Sequence, residues 1–137
     1  MAFHLDARLA ADTVSVMLID TIDIRLMRDA RYWWLVLVPQ IEGAVEWQDL
    51  PEVQALSLHH AAMRAANALR GLAAADKMNV AALGNMVRQL HVHVIARHEG
   101  DAAWPGPVWG VGEATDYTDD TLEARLTALR ATLKNHS

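Results

Sequence analysis

The chain has 137 residues, 53% of them hydrophobic and 21% charged, enough to bury a core covering roughly two-thirds of the surface its unfolded form exposes. That excludes intrinsic disorder and low-complexity arrays and points to one domain over residues 1–137. With 12 Lys and Arg against 17 Asp and Glu, the net charge of −5 has the wrong sign for a general nucleic-acid binder, and the lack of cysteine excludes disulfides, cysteine zinc sites and cysteine nucleophiles.

The start, Met1-Ala2-Phe3-His4-Leu5-Asp6-Ala7-Arg8, lacks the basic and apolar regions of a signal peptide, and no apolar run approaches the ~20 residues that span a bilayer. A cytoplasmic protein without membrane contact is expected, and the absence of cysteine fits a reducing compartment.

Residues 5–11 predict a short helix stopped at Asp12-Thr13. Residues 13–19 are β-branched and apolar, Asp20-Thr21 interrupts them, and residues 22–27 alternate apolar and polar, which predicts two neighbouring antiparallel strands. The continuous apolar run of residues 33–38, stopped by Pro39, predicts a central strand buried on both faces. From Asp49-Leu50-Pro51-Glu52 the pattern turns helical and Ala-rich until near Gly71; Asp49 is expected as the cap, and Val53, Leu56, Met63 and Leu69 with the alanines between them mark one long amphipathic helix against a sheet.

A strand over residues 79–83, a Gly84-Asn85 turn and a strand over residues 88–97 follow, with a hairpin as one way to join them. Residues 99–117 form the longest irregular stretch, and residues 118–134 carry Leu122, Leu126, Leu129 and Leu133 at helical spacing. Strands grouped first and helices interspersed later argue for an α+β fold.

The chemistry concentrates in Gln89-Leu90-His91-Val92-His93-Val94-Ile95. On a regular strand Gln89, His91 and His93 share one face and Leu90, Val92 and Val94 the other. Neutral imidazoles at i and i+2 suit a metal, or one can attack phosphorus while its neighbour donates a hydrogen bond. A purely structural role is equally open for the pair alone. His4, His59, His60, His98 and His136 read as surface or satisfied residues. A metal site built on His91, His93 and His98 or an Asp lacks a third ligand at informative spacing, so no metal or other cofactor is expected.

This stretch resembles the histidine triad (HIT) motif, His-φ-His-φ-His-φ-φ with φ apolar, carrying Gln89 in place of the first histidine. Asn79, Gly84 and Asn85 upstream and Trp104-Pro105-Gly106 downstream extend the likeness, and residues 31–39 resemble the family's central strand, so the similarity covers most of residues 13–110. Residues 79–85 and 101–110 resemble a bacterial HIT-like subgroup of hydrolases. The resemblance implies an antiparallel sheet of about five strands with two main helices, usually paired as a homodimer.

It also implies a hydrolase or nucleotidyl transferase that acts on a small-molecule nucleotide at the α-phosphorus of a phosphoramidate, phosphoanhydride or dinucleoside polyphosphate. By position His91 is the nucleophile that becomes nucleotidylated, with its other ring nitrogen held by a backbone carbonyl. His93 is the phosphate binder and possible acid. Gln89, Asn79 and Asn85 are polar substrate contacts, with a turn or strand-end role equally open for the two asparagines; Trp104 borders the pocket or, equally, anchors its loop to the sheet; and Ile22, Leu26 and Trp34 are candidates for an apolar base pocket.

Two departures matter. Gln89 can hold or orient but cannot carry a proton near neutral pH, and Met86 stands where well-characterised branches place a phosphate-contacting serine. They motivate the alternative of a nucleotide- or phosphate-binding module with little or no turnover. Arg88 and Arg97 are candidate phosphate partners, with ordinary solvated arginines as the plainer reading.

Overall fold

Alternation of apolar and polar residues produces the first hairpin of the computed structural model, which describes residues 2–135, the side chain of Asn135 excepted. After the short helix α1 (Ala7–Asp12), β1 (Thr13–Ile19) and β2 (Ile22–Met27) pair antiparallel, and Asp20 turns the corner at a left-handed φ of 53°, a conformation Asp tolerates better than most residues. Every second residue of β2 is buried. The next strand, β3 (Trp34–Pro39), is buried along its whole length because both of its faces are covered.

After a single 3₁₀ turn at Trp47–Asp49, α2 (Glu52–Ala73) crosses the sheet and leads into β4 (Lys77–Ala81) and β5 (Val92–Arg97); α3 (Asp119–Asn135) ends the described chain. The five strands run in the order β1-β2-β3-β5-β4, antiparallel at every junction. The fold is therefore the expected α+β arrangement. No helix among the described residues is long and apolar enough to cross a membrane.

Three local expectations are corrected. Asp49 does not cap α2: its carboxylate accepts from the N–H groups of Val45 and Glu46 inside the preceding turn, and Pro51 precedes the helix without a side-chain cap. The buried side of α2 is Leu58, Ala61, Ala62, Ala65, Ala68 and Leu69, whereas Val53, Leu56 and Met63 are 71%, 52% and 42% exposed. Small alanines let the helix axis approach the sheet, so an unbroken alanine stripe goes inward although single residues elsewhere are more hydrophobic.

Finally, β4 lies two residues earlier than alternation predicts and β5 starts four residues later. With Ala81 paired to His93, residues 82–91 make a long crossing, and Gly84-Asn85 is no two-residue hairpin turn.

The sheet separates two apolar clusters. On one face α2 and α3 cover Ile22, Ile24, Leu26, Leu35, Leu37 and Val94. On the other, Leu9, Tyr32 and Val108 cover Trp34, Val36, Val38 and Ile95.

Candidate active site

Strand alternation in β5 sends Val92, Val94 and Ala96 into the helix-side core, while Ile95 packs in the opposite cluster beside Trp34. His93 shares that opposite face, and its ring contacts Trp34 with centroids 5.6 Å apart. His91 stands just before the strand, its ring nearly perpendicular to that of His93 with centroids 4.9 Å apart. Both rings are almost fully buried within the fold.

The two imidazoles are held in different ways. His91 Nδ1 lies 2.7 Å from the carbonyl oxygen of Gln89. A carbonyl only accepts, so Nδ1 carries a proton, and in the neutral ring the lone pair falls on Nε2. His93 Nδ1 instead receives the indole N–H of Trp34 at 3.0 Å, and its Nε2 lies 3.1 Å from the carbonyl of Leu83. An indole nitrogen only donates, so His93 must be neutral, with Nδ1 bare and Nε2–H donating to Leu83. Burial, and then the neighbouring His91, push its pKa down to about 4. The acid role expected of His93 therefore has no free nitrogen in this arrangement, and the residue buttresses His91.

Gly84 lies against this pair: a Cβ there would fall 2.6 Å from the Val87 carbonyl oxygen and 3.1 Å from His91 Cε1, so only glycine lets the crossing loop close on His91. His91 sits between two spaces. A cleft of about 420 Å³ has apolar walls that include Leu9, Met27, Trp34 and Trp109, with Arg8 and Asn85 also on its lining. A smaller pocket of about 130 Å³ shares Gly84, Asn85 and His91 and adds Arg88 and Gln89.

Not every expected site residue reaches this cleft. Asn85 does, and so does Met86, which is 78% exposed. Asn79 accepts from Arg97 Nη1 at 2.9 Å, and Trp104 lies over the same guanidinium with its centroid 5.6 Å away, so both belong to an anchor behind the site. Arg97 is no solvated arginine: it is 1% exposed and forked onto Asp101 through two bonds of 2.8 Å, which holds that carboxyl down to about 2.

Ile22 and Leu26 lie on the helix face and cannot line the cleft, whereas Trp34 does. Trp109, which the sequence reading passed over for Trp104, has its ring 5.0 Å from His93; its place in the same Pro-Gly segment was the available signal. Gln89 lies outside the strand, and its side chain binds the N-terminal segment.

His98 is satisfied by the Ala73 carbonyl at 2.7 Å, His4, His59 and His60 are exposed, and His136 lies outside the described residues. Among the described residues no three His, Cys, Asp or Glu side chains gather as a metal site.

Comparison with known proteins agrees with this geometry. The HIT domain family matches residues 8–100. A histidine triad protein from Bradyrhizobium japonicum is 43% identical over 97% of this chain and 99% of its own, with a TM-score of 0.95. Histidine triad proteins from Marinobacter aquaeolei (40% identity, all of both chains, TM-score 0.96) and Sinorhizobium meliloti (40%, 95% and 96%, TM-score 0.92) are similar to the same extent. A search of curated proteins gave no match. With a family match across most of its length and 43% identity to a solved histidine triad protein, the chain belongs to the histidine triad family, a membership that implies nucleotide-binding, hydrolase-type chemistry.

Proposed function

We propose that the protein is a single-domain nucleotide hydrolase or nucleotidyl transferase acting at the α-phosphorus of a phosphoramidate, phosphoanhydride or dinucleoside polyphosphate, with His91 as the nucleophile. The observation that carries this reading is the bond from His91 Nδ1–H to the Gln89 carbonyl, which in the neutral ring places the lone pair on Nε2. Its position between an apolar cleft sized for a nucleoside and a small pocket bearing Arg88 adds support.

Nε2 forms a bond to phosphorus as the bond to the leaving group breaks, and the leaving group departs with the electron pair and takes a proton from solvent. The charge gained by the imidazole spreads to Nδ1–H, where the Gln89 carbonyl stabilises it. Water, or another acceptor, then attacks phosphorus and loses a proton, and the P–N bond breaks to return neutral His91. His93 holds the His91 ring, and Asn85 and Arg88 face the phosphate.

A second reading, a nucleotide-binding module with little turnover, is favoured by the neutral lock on His93 and by Met86 where a phosphate donor belongs. The deciding experiment is intact-protein mass after brief exposure to adenosine phosphoramidate and to diadenosine polyphosphates, with product release followed in parallel. An adduct or AMP release that vanishes in His91→Ala supports the enzyme. Binding without either product in wild type and variant supports the module.

We also read the protein as a cytoplasmic homodimer. The exposed stripe of Val53, Leu56 and Met63 on α2, together with the free edge of β4 where Val80 is exposed, supplies apolar surface that a second copy would cover. Sedimentation of Leu56→Glu should then show monomers where wild type shows dimers.

A further inference from the structure

Gln89 stands where the motif has its first histidine, yet its side chain is directed to the chain's own beginning. Oε1 accepts from the Asp6 N–H at 2.8 Å and Nε2 donates to the His4 carbonyl at 2.9 Å. The partners fix the orientation of the amide, because an N–H demands the oxygen and a carbonyl demands the N–H. The two bonds flank Leu5 as the N–H and C=O of one residue do in a parallel β-ladder. An imidazole points its two nitrogens apart and cannot make this pair.

The segment so held leads into one wall of the cleft. Phe3 and Leu5 pack against the cluster around Trp34, Asp6 caps α1 by accepting the Arg8 N–H at 2.8 Å, and α1 carries Arg8, Leu9 and Asp12 to the cleft lining. The backbone carbonyl of the same Gln89 holds Nδ1 of His91. One residue therefore ties the nucleophile to the opposite wall of the site.

We propose that Gln89 is a positioning residue whose side chain latches residues 4–6, and through them α1, against the cleft, so that ligand occupancy depends on the latch. The dependence of occupancy rests on the nucleotide reading above; the latch does not. Gln89→Ala removes both side-chain bonds and keeps the carbonyl on His91, which separates the wall from the nucleophile. Gln89→Glu keeps the acceptor for Asp6 but turns a carboxylate oxygen toward the His4 carbonyl.

The test measures amide hydrogen exchange of wild type, Gln89→Ala and Gln89→Glu, AMP affinity, and turnover of adenosine phosphoramidate. In Gln89→Ala, exchange over residues 6–12 should rise roughly tenfold, as expected for two lost hydrogen bonds, while α2 and β5 stay protected as a control for folding. AMP affinity should fall and KM rise by about the same factor, with kcat within about twofold. Gln89→Glu should show the same pattern.

Unchanged exchange over residues 6–12 in both variants overturns the latch. Raised exchange with unchanged AMP affinity and KM overturns its role in occupancy. A wild type that neither binds AMP nor turns over overturns the nucleotide reading, and the exchange measurement then decides the latch by itself.

Discussion

The two faces of the sheet are packed by different means. On the helix face, α2 and α3 press leucines and alanines onto Ile22, Ile24, Leu26, Leu35 and Leu37, a cluster made of apolar side chains. On the site face the cover is loop and a short helix, and each piece is fastened by polar ties. Gln89 holds residues 4 and 6. Arg97 and Asp101 hold the turn after β5, where the Asp101 carboxylate also accepts the His98 and Ala103 N–H groups. Buried Asp29 grips Arg31 and the Thr115 N–H, and Arg31 reaches the Val111 carbonyl. Periodic apolar stripes can assemble a face by burial alone. Irregular cover has no such stripe and needs directional bonds to define its shape.

If the faces divide the labour this way, changes on them should separate activity from stability. The largest effect expected is that of His91→Ala, which removes the proposed nucleophile and should lower turnover by roughly a thousandfold or more, equivalent to about 4 kcal/mol of barrier, with little change in melting temperature. Steady-state kinetics beside a thermal melt would show it, and a large loss of stability would break the contrast. On the opposite face Leu58→Ala opens a cavity under α2 and should cost about 3 kcal/mol by urea unfolding while leaving KM unchanged.

Acid should act on the site face through His93. Its folded pKa of about 4 lies below the ordinary imidazole value of 6.5, so the unfolded chain binds a proton at a higher pH than the native one. The stability tied to the neutral ring is complete above about pH 6.5 and is lost as pH falls toward 4, a change on the order of 2–3 kcal/mol. Unfolding midpoints measured across this window check it. In Trp34→Phe, which frees Nδ1, the His93 resonance should titrate closer to the ordinary value by NMR. The smallest effect belongs to the outer side of α2, where Val53→Ser should change monomer stability by less than about 0.5 kcal/mol.

The second half of the histidine strand, the central strand and the terminal leucine helix were legible because alternation, an unbroken apolar run and helical spacing each set which side chains pack inward, whereas alternation over residues 88–91 did not extend the strand. The family was legible because several motifs coincided in order. On α2 the alanines and Leu69 go inward as expected, but Val53, Leu56 and Met63 do not, since close approach to the sheet favours alanine over larger apolar side chains. Between their two readings Asn79 and Trp104 stayed undecided, because motif spacing cannot tell a residue that faces the cleft from one that holds Arg97 behind it.

By itself the sequence determined the strand order's raw material, the α+β class, the position of His91 and the absence of cysteine chemistry, all of which depend on local pattern and residue type. Only the tertiary structure decided that His93 is locked neutral by Trp34 and Leu83, that Trp109 rather than Trp104 borders the cleft, and that Gln89 fastens residues 4–6. Each of these rests on a contact between residues far apart in the chain, and the direction of a hydrogen bond is set by where the fold places its partner.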